Sequence, residues 1–221
     1  MLADGPPPLH REVIGRSVQG RPIRAVRVGA HDAPHTALAV GCIHGTERAG
    51  EAVTRRLRAT RMPGDVAVWV IDQANPDGCR AGTRQNARGV DLNRNAPWRW
   101  RPTGPPGSTF YAGPRARSEP ETRALLAFIA RVRPGVTIWF HQSATLVDDP
   151  GRRRSVARRY ARTAGLPFKP YPGRLPGILT GWQNARLPRS VAFVVELPSG
   201  PLPAASVRRH VRAVVGAAQT T

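Results

Sequence analysis

The stretch Gly41-Cys-Ile-His-Gly-Thr-Glu47 decides the fold, because a buried apolar run gives way there to a helical pattern. Residues 36–43 predict a buried strand, and the apolar residues from 49 to 57 recur at helical spacing. His44 and Glu47 would offer one nitrogen and one oxygen ligand at this junction. With a second histidine they would complete the His2Glu set of catalytic zinc sites. A histidine beside a glycine-rich turn can equally be a capping or packing residue.

Length and composition indicate one domain. The chain has 221 residues, which fits a single core. Residues 1–10 are rich in proline and are expected to be unstructured, leaving 11–221 as the folded domain. No stretch approaches the ~20 apolar residues of a membrane span, and the N-terminus lacks the pattern of a signal peptide. We therefore expect a cytoplasmic protein without a membrane partner. The two cysteines form no disulfide framework, and Cys42 is interpreted as a small core residue.

The charge of the chain is strongly positive. The net charge is +20, and only Lys169 among the 34 basic residues is a lysine. Clustered basic surfaces bind phosphate. However, no aromatic residues interleave with the densest arginine runs, as a stacking platform for bases would require. We therefore expect no specific nucleic-acid binding and interpret the arginines as solvated helix faces. A non-catalytic module that binds polyanions remains an alternative.

The order of the elements predicts an α/β fold. Apolar runs at 36–43, 66–71, 136–140 and 191–195 predict four buried strands, and helical patterns lie between them. An edge hairpin is expected near residues 15–28. This alternation favours a single domain with a mostly parallel, mixed twisted sheet and helices on both faces. A capping box at 118–121 is expected to begin one of these helices.

Three candidate residues follow buried runs directly. His44, His141 and Glu196 each come at the end of a predicted strand. Because ligands bind outside the carboxyl ends of parallel strands, these residues should meet at one edge of the sheet. The segment 72–113 lacks periodicity over its whole length, and so long a loop in a compact domain is usually functional. The sequence therefore predicts a metal site bordered by this loop.

Several longer motifs carry a family resemblance. In order, they are His44-x-x-Glu47, Asn75-Pro-Asp-Gly78, Arg84-x-Asn86, Gly89-Val-Asp-Leu-Asn-Arg-Asn95, His141 and Glu196. The chain resembles the zinc carboxypeptidases over nearly the whole domain. The segments 75–79 and 118–122 and the short chain are most similar to the family's murein peptide amidase branch, which trims cell-wall peptides in bacteria. Residues 11–221 would then be the catalytic domain.

The resemblance implies a site with one Zn²⁺ ion. His44, Glu47 and His141 match the metal ligands, with water in the open position. Glu196 matches the general base that takes a proton from this water and passes it to the leaving amine, and a general base has to lie near the metal without binding it. The other interpretation of Glu196 is a salt-bridge partner for an arginine.

Further residues match substrate-binding and supporting positions. Asn93 and Arg94 match the pair that holds the free terminal carboxylate of the substrate, and Arg84 matches the arginine that stabilises the developing oxyanion. Asp91 matches a carboxylate that orients a ligand histidine, although it could be a turn residue. Tyr171 is the nearest counterpart of the family's mobile tyrosine.

The implied activity is hydrolysis of an amide bond near the free carboxyl end of a small peptide, such as a murein peptide. For a substrate that ends in diaminopimelate, Asp148 or Asp149 could bind the side-chain amino group, although Asp149 could also cap a helix. A zinc-dependent deacylase of N-acyl amino acids, similar to aspartoacylase and succinylglutamate desuccinylase, shares the metal motif and is the main alternative.

Overall fold

The computed structural model describes residues 9–170 and 175–221, and in them eight strands form one sheet. The strand order is β1-β2-β4-β3-β5-β8-β6-β7. The strands are β1 (Leu9–Arg16), β2 (Pro22–Gly29), β3 (His35–Val40), β4 (Val66–Ile71), β5 (Val136–Gln142), β6 (Leu146–Asp148), β7 (Phe168–Lys169) and β8 (Val191–Leu197).

The four central strands are parallel, which confirms the predicted class. Strands β4, β3, β5 and β8 are neighbours in the sheet and run in the same direction. They correspond to the four apolar runs, and nearly all of their residues are buried. Strand β2 joins β4 antiparallel, and β6 joins β8 antiparallel, so the sheet is mixed. The expected edge hairpin is β1 paired with β2.

Helices cover both faces of the sheet. Within the described residues, the α-helices are α1 (Gly50–Arg58), α2 (Pro76–Ala81), α3 (Pro120–Val132), α4 (Arg154–Ala164), α5 (Leu179–Arg186) and α6 (Ala204–Ala218). Helices α1, α4 and α6 share a core cluster with Ala37 and Ala39 of β3, whereas α3 and α5 share another with Leu38 and Val40. Successive strand residues point to opposite faces, so β3 contributes to both cores.

The boundaries of some elements differ from those predicted. Strand β1 begins at Leu9, so two residues of the N-terminal segment that was expected to be unstructured belong to the sheet. Helix α2 lies within the loop that was predicted to be aperiodic; its first turn has Pro76, and the Asn75 side chain accepts a hydrogen bond from the Gly78 N–H. Six residues are too few to show a helical period.

The predicted capping box at the start of α3 is wrong. The residue preceding α3 is Glu119, and no side chain caps the helix. Ser118 Oγ instead donates to Glu119, and Glu121 Oε1 accepts from the N–H of Val18 at 3.0 Å. Partners elsewhere in the fold therefore replace the local capping bonds.

The two cysteines form a disulfide, which corrects the interpretation of Cys42 as a simple core residue. The bond joins Cys42, at the carboxyl end of β3, to Cys79 in α2. Both residues are buried. The disulfide therefore fastens the helix of the long loop to the segment that carries His44.

The densest arginine run is used within the fold. Arg152 and Arg153 donate to backbone carbonyl groups at residues 184–189. Arg154 forms an ion pair with Asp149 at 2.5 Å. The contacts of Arg152 and Arg153 join the start of α4 to the end of α5 and the loop that follows it, and the ion pair of Arg154 stabilises the turn before α4.

Across residues 9–170 and 175–221, no helix combines the length and apolar character needed to cross a membrane.

Candidate active site

The site is built on the turn that follows β3. His44 lies in this turn, and the N–H of Gly45 donates to the carbonyl of Thr83 at 2.8 Å. A Cβ atom on Gly45 would lie 1.9 Å from the carbonyl oxygen of Gly78. No side chain fits there, so a glycine allows the segment 78–83 to close against the turn.

The three predicted ligands converge. His44 and His141 both turn Nδ1 towards the Glu47 carboxylate, with distances of 2.9 Å to Oε1 and 2.8 Å to Oε2. One ligand atom from each of the three residues lies within 4.8 Å of the others. Two imidazole nitrogens and a carboxylate oxygen are ligands that zinc binds. The three residues are at most 8% exposed, so the donor set fits a zinc ion in a buried cluster.

Asp91 and Arg84 support this cluster. Asp91 Oδ1 accepts from Nε2 of His44 at 3.0 Å, which leaves Nδ1 of the histidine for the metal. Arg84 donates through Nε to Asp91 Oδ2 at 3.0 Å and through Nη1 to Glu47 at 2.9 Å. Asp91 is fully buried. A carboxylate on the far nitrogen of a ligand histidine fixes its tautomer and its orientation.

These contacts shift the protonation equilibria of the cluster without metal. Burial raises the pKa of Glu47, but its hydrogen bonds to His141 and His44 outweigh burial and leave the pKa far below its usual value. Burial also raises the pKa of Asp91, but the hydrogen bond to His44 and the charges of His44, Arg84 and Arg94 outweigh burial and leave this pKa below its usual value. Both carboxylates are therefore ionised at neutral pH and available to cations.

Glu196 lies directly beside His141. The two residues are paired in register on the parallel strands β5 and β8, and neighbouring strands are about 4.8 Å apart. Glu196 is 9% exposed, and its Oε2 accepts from the N–H of Ala144 at 3.5 Å. In the part of the chain that the structure describes, no arginine forms an ion pair with Glu196. Among the described residues, the geometry therefore gives no support to the salt-bridge interpretation.

Asn93 and Arg94 lie on a short 3-10 helix, Leu92–Arg94, that Asp91 begins by accepting from the N–H of Asn93. Asn93 Oδ1 accepts from the N–H of Leu179 at 3.2 Å. Arg94 is 7% exposed, and its charge is among those that lower the pKa of Asp91. Asp91 therefore connects the predicted carboxylate-binding pair to the predicted metal ligands.

Two other candidates are placed differently. Tyr171 lies outside the described residues, so its role stays a prediction. Asp149 accepts from the N–H of Gly151 at 3.0 Å in addition to its ion pair with Arg154. Asp149 thus stabilises the turn before α4, which is similar to the helix-capping role considered for it, and its carboxylate is already engaged within the fold.

Sequence reasoning missed a buried polar network behind the loop. Asn86 Nδ2 donates to Glu119 at 2.8 Å and to Glu121 at 3.1 Å. On the other side of α2, Ser17 Oγ donates to Asp77 at 2.8 Å. Asp77 and Asn86 belong to two of the family motifs, and this was the only feature of the sequence that could have indicated their importance. Their partners come from distant segments, which no local pattern reveals.

Gln142 is a second missed residue. It follows the predicted ligand His141, and its Oε1 accepts from the N–H of Ala49 at 2.9 Å. Its Nε2 donates to the carbonyl of Pro198 at 2.8 Å. The side chain therefore joins the segment before α1 to the segment after β8, on either side of the metal ligands.

Comparisons with known proteins show which family the chain is similar to. The sequence pattern of the zinc carboxypeptidase family matches residues 2–164. Murein peptide amidase A of Escherichia coli is 31% identical over 183 residues, covering 77% of this chain and 75% of the relative. The enzyme of the same name from Vibrio campbellii is 30% identical over 223 residues, covering 93% and 86%.

A solved structure shows the same fold. The crystal structure of a murein-tripeptide amidase from Escherichia coli superposes with a TM-score of 0.75 at 25% identity and covers 98% of this chain and 93% of that one. These similarities disfavour the deacylase alternative. From its sequence pattern, its relatives and its fold, the chain belongs to the zinc carboxypeptidase family and is a hydrolase.

Proposed function

We propose that this protein binds one zinc ion and hydrolyses the amide bond next to the free terminal carboxylate of a small murein peptide. The observation that carries this proposal is the pairing of Glu196 with His141 on adjacent strands, beside the cluster of His44 and Glu47. The relatives named for murein peptides support the class of substrate.

His44, Glu47 and His141 would hold the zinc ion. When bound, zinc supplies an activated water molecule and a positive charge that polarises the scissile carbonyl. Glu196 would accept a proton from the attacking water and donate it to the leaving amine. A carboxylate suits this task when it lies at the metal cluster without belonging to it. The Glu196 carboxylate accepts from the Ala144 N–H rather than from a ligand side chain, while its register keeps it beside His141.

The arginines would bind the charges of the substrate. Arg84 lies at the edge of the cluster, 20% exposed in its side chain, and its positive charge would stabilise the oxyanion that develops in the transition state. Arg94 would hold the terminal carboxylate through its planar guanidinium group, with Asn93 beside it. Both charges are fixed before the substrate arrives, so little reorganisation is needed during the reaction.

The side chain of the terminal residue would enter a neighbouring cleft. This cleft has a volume of about 610 Å³, and Trp98, Asp148 and Thr180 are among its lining residues. Asp149 also lines it but is engaged in its own turn. Asp148 lines the same cleft, and its negative charge would attract an amino group on a diaminopimelate side chain.

The location of the protein is a separate question. The cytoplasmic location expected from the sequence has the buried Cys42–Cys79 disulfide against it, because disulfides persist mainly in oxidising compartments. Cell fractionation, with an antibody to detect the chain, would distinguish a cytoplasmic location from an oxidising compartment.

The test is Glu196→Gln assayed on a peptide that ends in diaminopimelate. We expect kcat to fall by roughly 10²- to 10⁴-fold, the usual contribution of a general acid–base group, while about one zinc ion per chain is retained. Glu12→Gln is a matched control, since Glu12 pairs with Arg131 on the surface away from the cluster, and it should keep full activity.

Other outcomes would contradict the proposal. Turnover of N-acyl amino acids but not of peptides would indicate a deacylase. Salt-sensitive binding to polyanions that is unchanged in Glu196→Gln, together with no turnover by the wild type, would indicate a binding module.

A further inference from the structure

Phe110 is a large apolar residue on the surface next to the site. Its exposed fraction is 50%, and Val13 and Leu175 are the other large apolar residues with comparable exposure in the described part of the chain. About half of the residue remains in solvent, so Phe110 gains only part of the hydrophobic free energy of a core phenylalanine. Single exposed apolar residues are common on protein surfaces, so a role for Phe110 depends on the groups that its ring contacts.

Two site arginines contact this ring. The Cζ atom of Arg84 lies 5.2 Å from the centre of the Phe110 ring, and the Cζ atom of Arg94 lies 5.3 Å from it. Both distances are within the range of a cation–π interaction. Phe110 thus contacts both the arginine proposed for the oxyanion and the arginine proposed for the terminal carboxylate.

The loop that carries Phe110 is fixed to the site by hydrogen bonds. Thr103 Oγ1 donates to the Phe110 carbonyl at 2.8 Å, and the Asp91 N–H donates to the Tyr111 carbonyl at 2.8 Å. The Gln85 amide donates to the carbonyl of Thr109 at 3.1 Å. The segment that contributes Arg84 and Asp91 therefore also determines where the ring lies.

The ring and two carboxylates together define the position of Arg84. The guanidinium group donates to Asp91 and to Glu47, and the aromatic ring lies beside it. Arg94 contacts the same ring. The negative charge density on the face of an aromatic ring attracts both guanidinium groups, and it adds no further carboxylate to those of Asp91 and Glu47 that already contact Arg84.

We propose that Phe110 is a positioning residue that holds the guanidinium group of Arg84 ready for the developing oxyanion and that of Arg94 ready for the terminal carboxylate of the peptide. The inference rests on the proposed function for the identity of the substrate. The contact of the ring with both arginines does not depend on the proposed function, so the positioning role and the substrate can be tested separately.

The first test measures peptide binding without turnover, in the Glu196→Gln background. Phe110→Leu keeps an apolar side chain but removes the aromatic face, and we expect the Kd for a peptide with a free terminal carboxylate to rise about 5- to 10-fold. Phe110→Trp should keep the Kd within about twofold of the starting protein. The peptide with an amidated terminus should respond little, because it lacks the charge that Arg94 binds.

The second test needs no substrate. Phenylglyoxal modifies accessible arginines, and peptide mapping gives the rate at each one. In Phe110→Leu, Arg84 and Arg94 should react several-fold faster than in the wild type, whereas Phe110→Trp should leave their rates unchanged. Phe128→Leu is the matched control. The Cζ atom of Arg131 lies 5.2 Å from the centre of the Phe128 ring on α3, so this variant should change the modification rate at Arg131 and not at Arg84 or Arg94.

The two tests separate the hypotheses. Faster modification in Phe110→Leu without any peptide binding by the protein would retain the positioning role and reject the proposed substrate. Peptide hydrolysis by the wild type, with equal Kd values and modification rates in the leucine variant, would reject the positioning role alone. Equal impairment of the leucine and tryptophan variants would show that the ring acts by its shape, and would also overturn the proposal.

Discussion

Removing the Cys42–Cys79 disulfide should lower the stability of the fold while leaving the zinc ligands in place. The bond joins residues 37 positions apart in the sequence. In the chain-entropy description, a cross-link lowers the entropy of the unfolded chain by 2.1 + 1.5R ln n in cal/mol/K, where n is the loop length. For this loop the result is about 13 cal/mol/K, or about 4 kcal/mol at 25 °C.

The expected change in melting temperature follows from chain length. For proteins of 150–250 residues, each kcal/mol shifts Tm by roughly 2 to 4 °C, so Cys79→Ala should melt roughly 8 to 16 °C below the wild type. The His44 turn keeps other supports, since the carbonyl of Cys42 accepts from the N–H of Ala74 at 2.8 Å and Asn75 Nδ2 donates to the carbonyl of Ile43 at 3.1 Å. Zinc content at 20 °C should therefore stay near one ion per chain.

Calorimetry without reductant would compare the wild type, Cys79→Ala and the double variant Cys42→Ala/Cys79→Ala. The single variant already lacks the cross-link, so any further loss in the double variant reports only the packing of the second sulfur. A Tm for Cys79→Ala within 2 °C of the wild type would refute the reasoning. So would two free thiols titrated in the unfolded wild-type protein.

Two further predictions concern buried groups. Asp91→Ala should weaken zinc binding about 10- to 100-fold, as loss of such supporting carboxylates does, and competition with a chelator would measure this; affinity equal to that of the wild type would exclude a role in orienting His44. Burial and the charge of Arg209 lower the pKa of His210 to about 4, and its Nδ1 accepts from the Tyr160 hydroxyl at 2.8 Å. Because the unfolded state takes up this proton near pH 6.5, stability should fall as pH drops from about 6.5 to about 4, by about 2 kcal/mol at pH 5. His210→Gln should show a decrease in denaturant stability that is smaller by this amount, and an equal decrease in both proteins would contradict the assignment.

The central sheet could be predicted because its strands are buried on both faces. Continuous apolar runs such as 66–71 have no other common explanation at that length. The meeting of His44, His141 and Glu196 followed from the rule that parallel strands end at the same edge. Functional residues that lie at strand ends can therefore be predicted from the apolar runs that precede them.

The features that could not be predicted depend on contacts between distant segments. Helix α2 brings Cys79 to Cys42, and a six-residue helix leaves almost no periodic signal. At the start of α3, Ser118 and Glu121 form bonds with Asn95 and Val18 rather than the local bonds of a capping box. The contact of Phe110 with the site arginines likewise arises inside a loop without periodicity.

The register between β5 and β8 separates two tasks that many enzymes combine. The proposed base and a proposed metal ligand are set side by side by the hydrogen bonds of the sheet, whereas the residues proposed to recognise the substrate lie in the long loop and its neighbours. A change in the loop that leaves Arg84 and Asp91 in place would alter which peptide is accepted without changing the register of Glu196 and His141. The scaffold is therefore suited to exchange of the other loop segments, in which a new specificity is grafted onto an unaltered proposed centre.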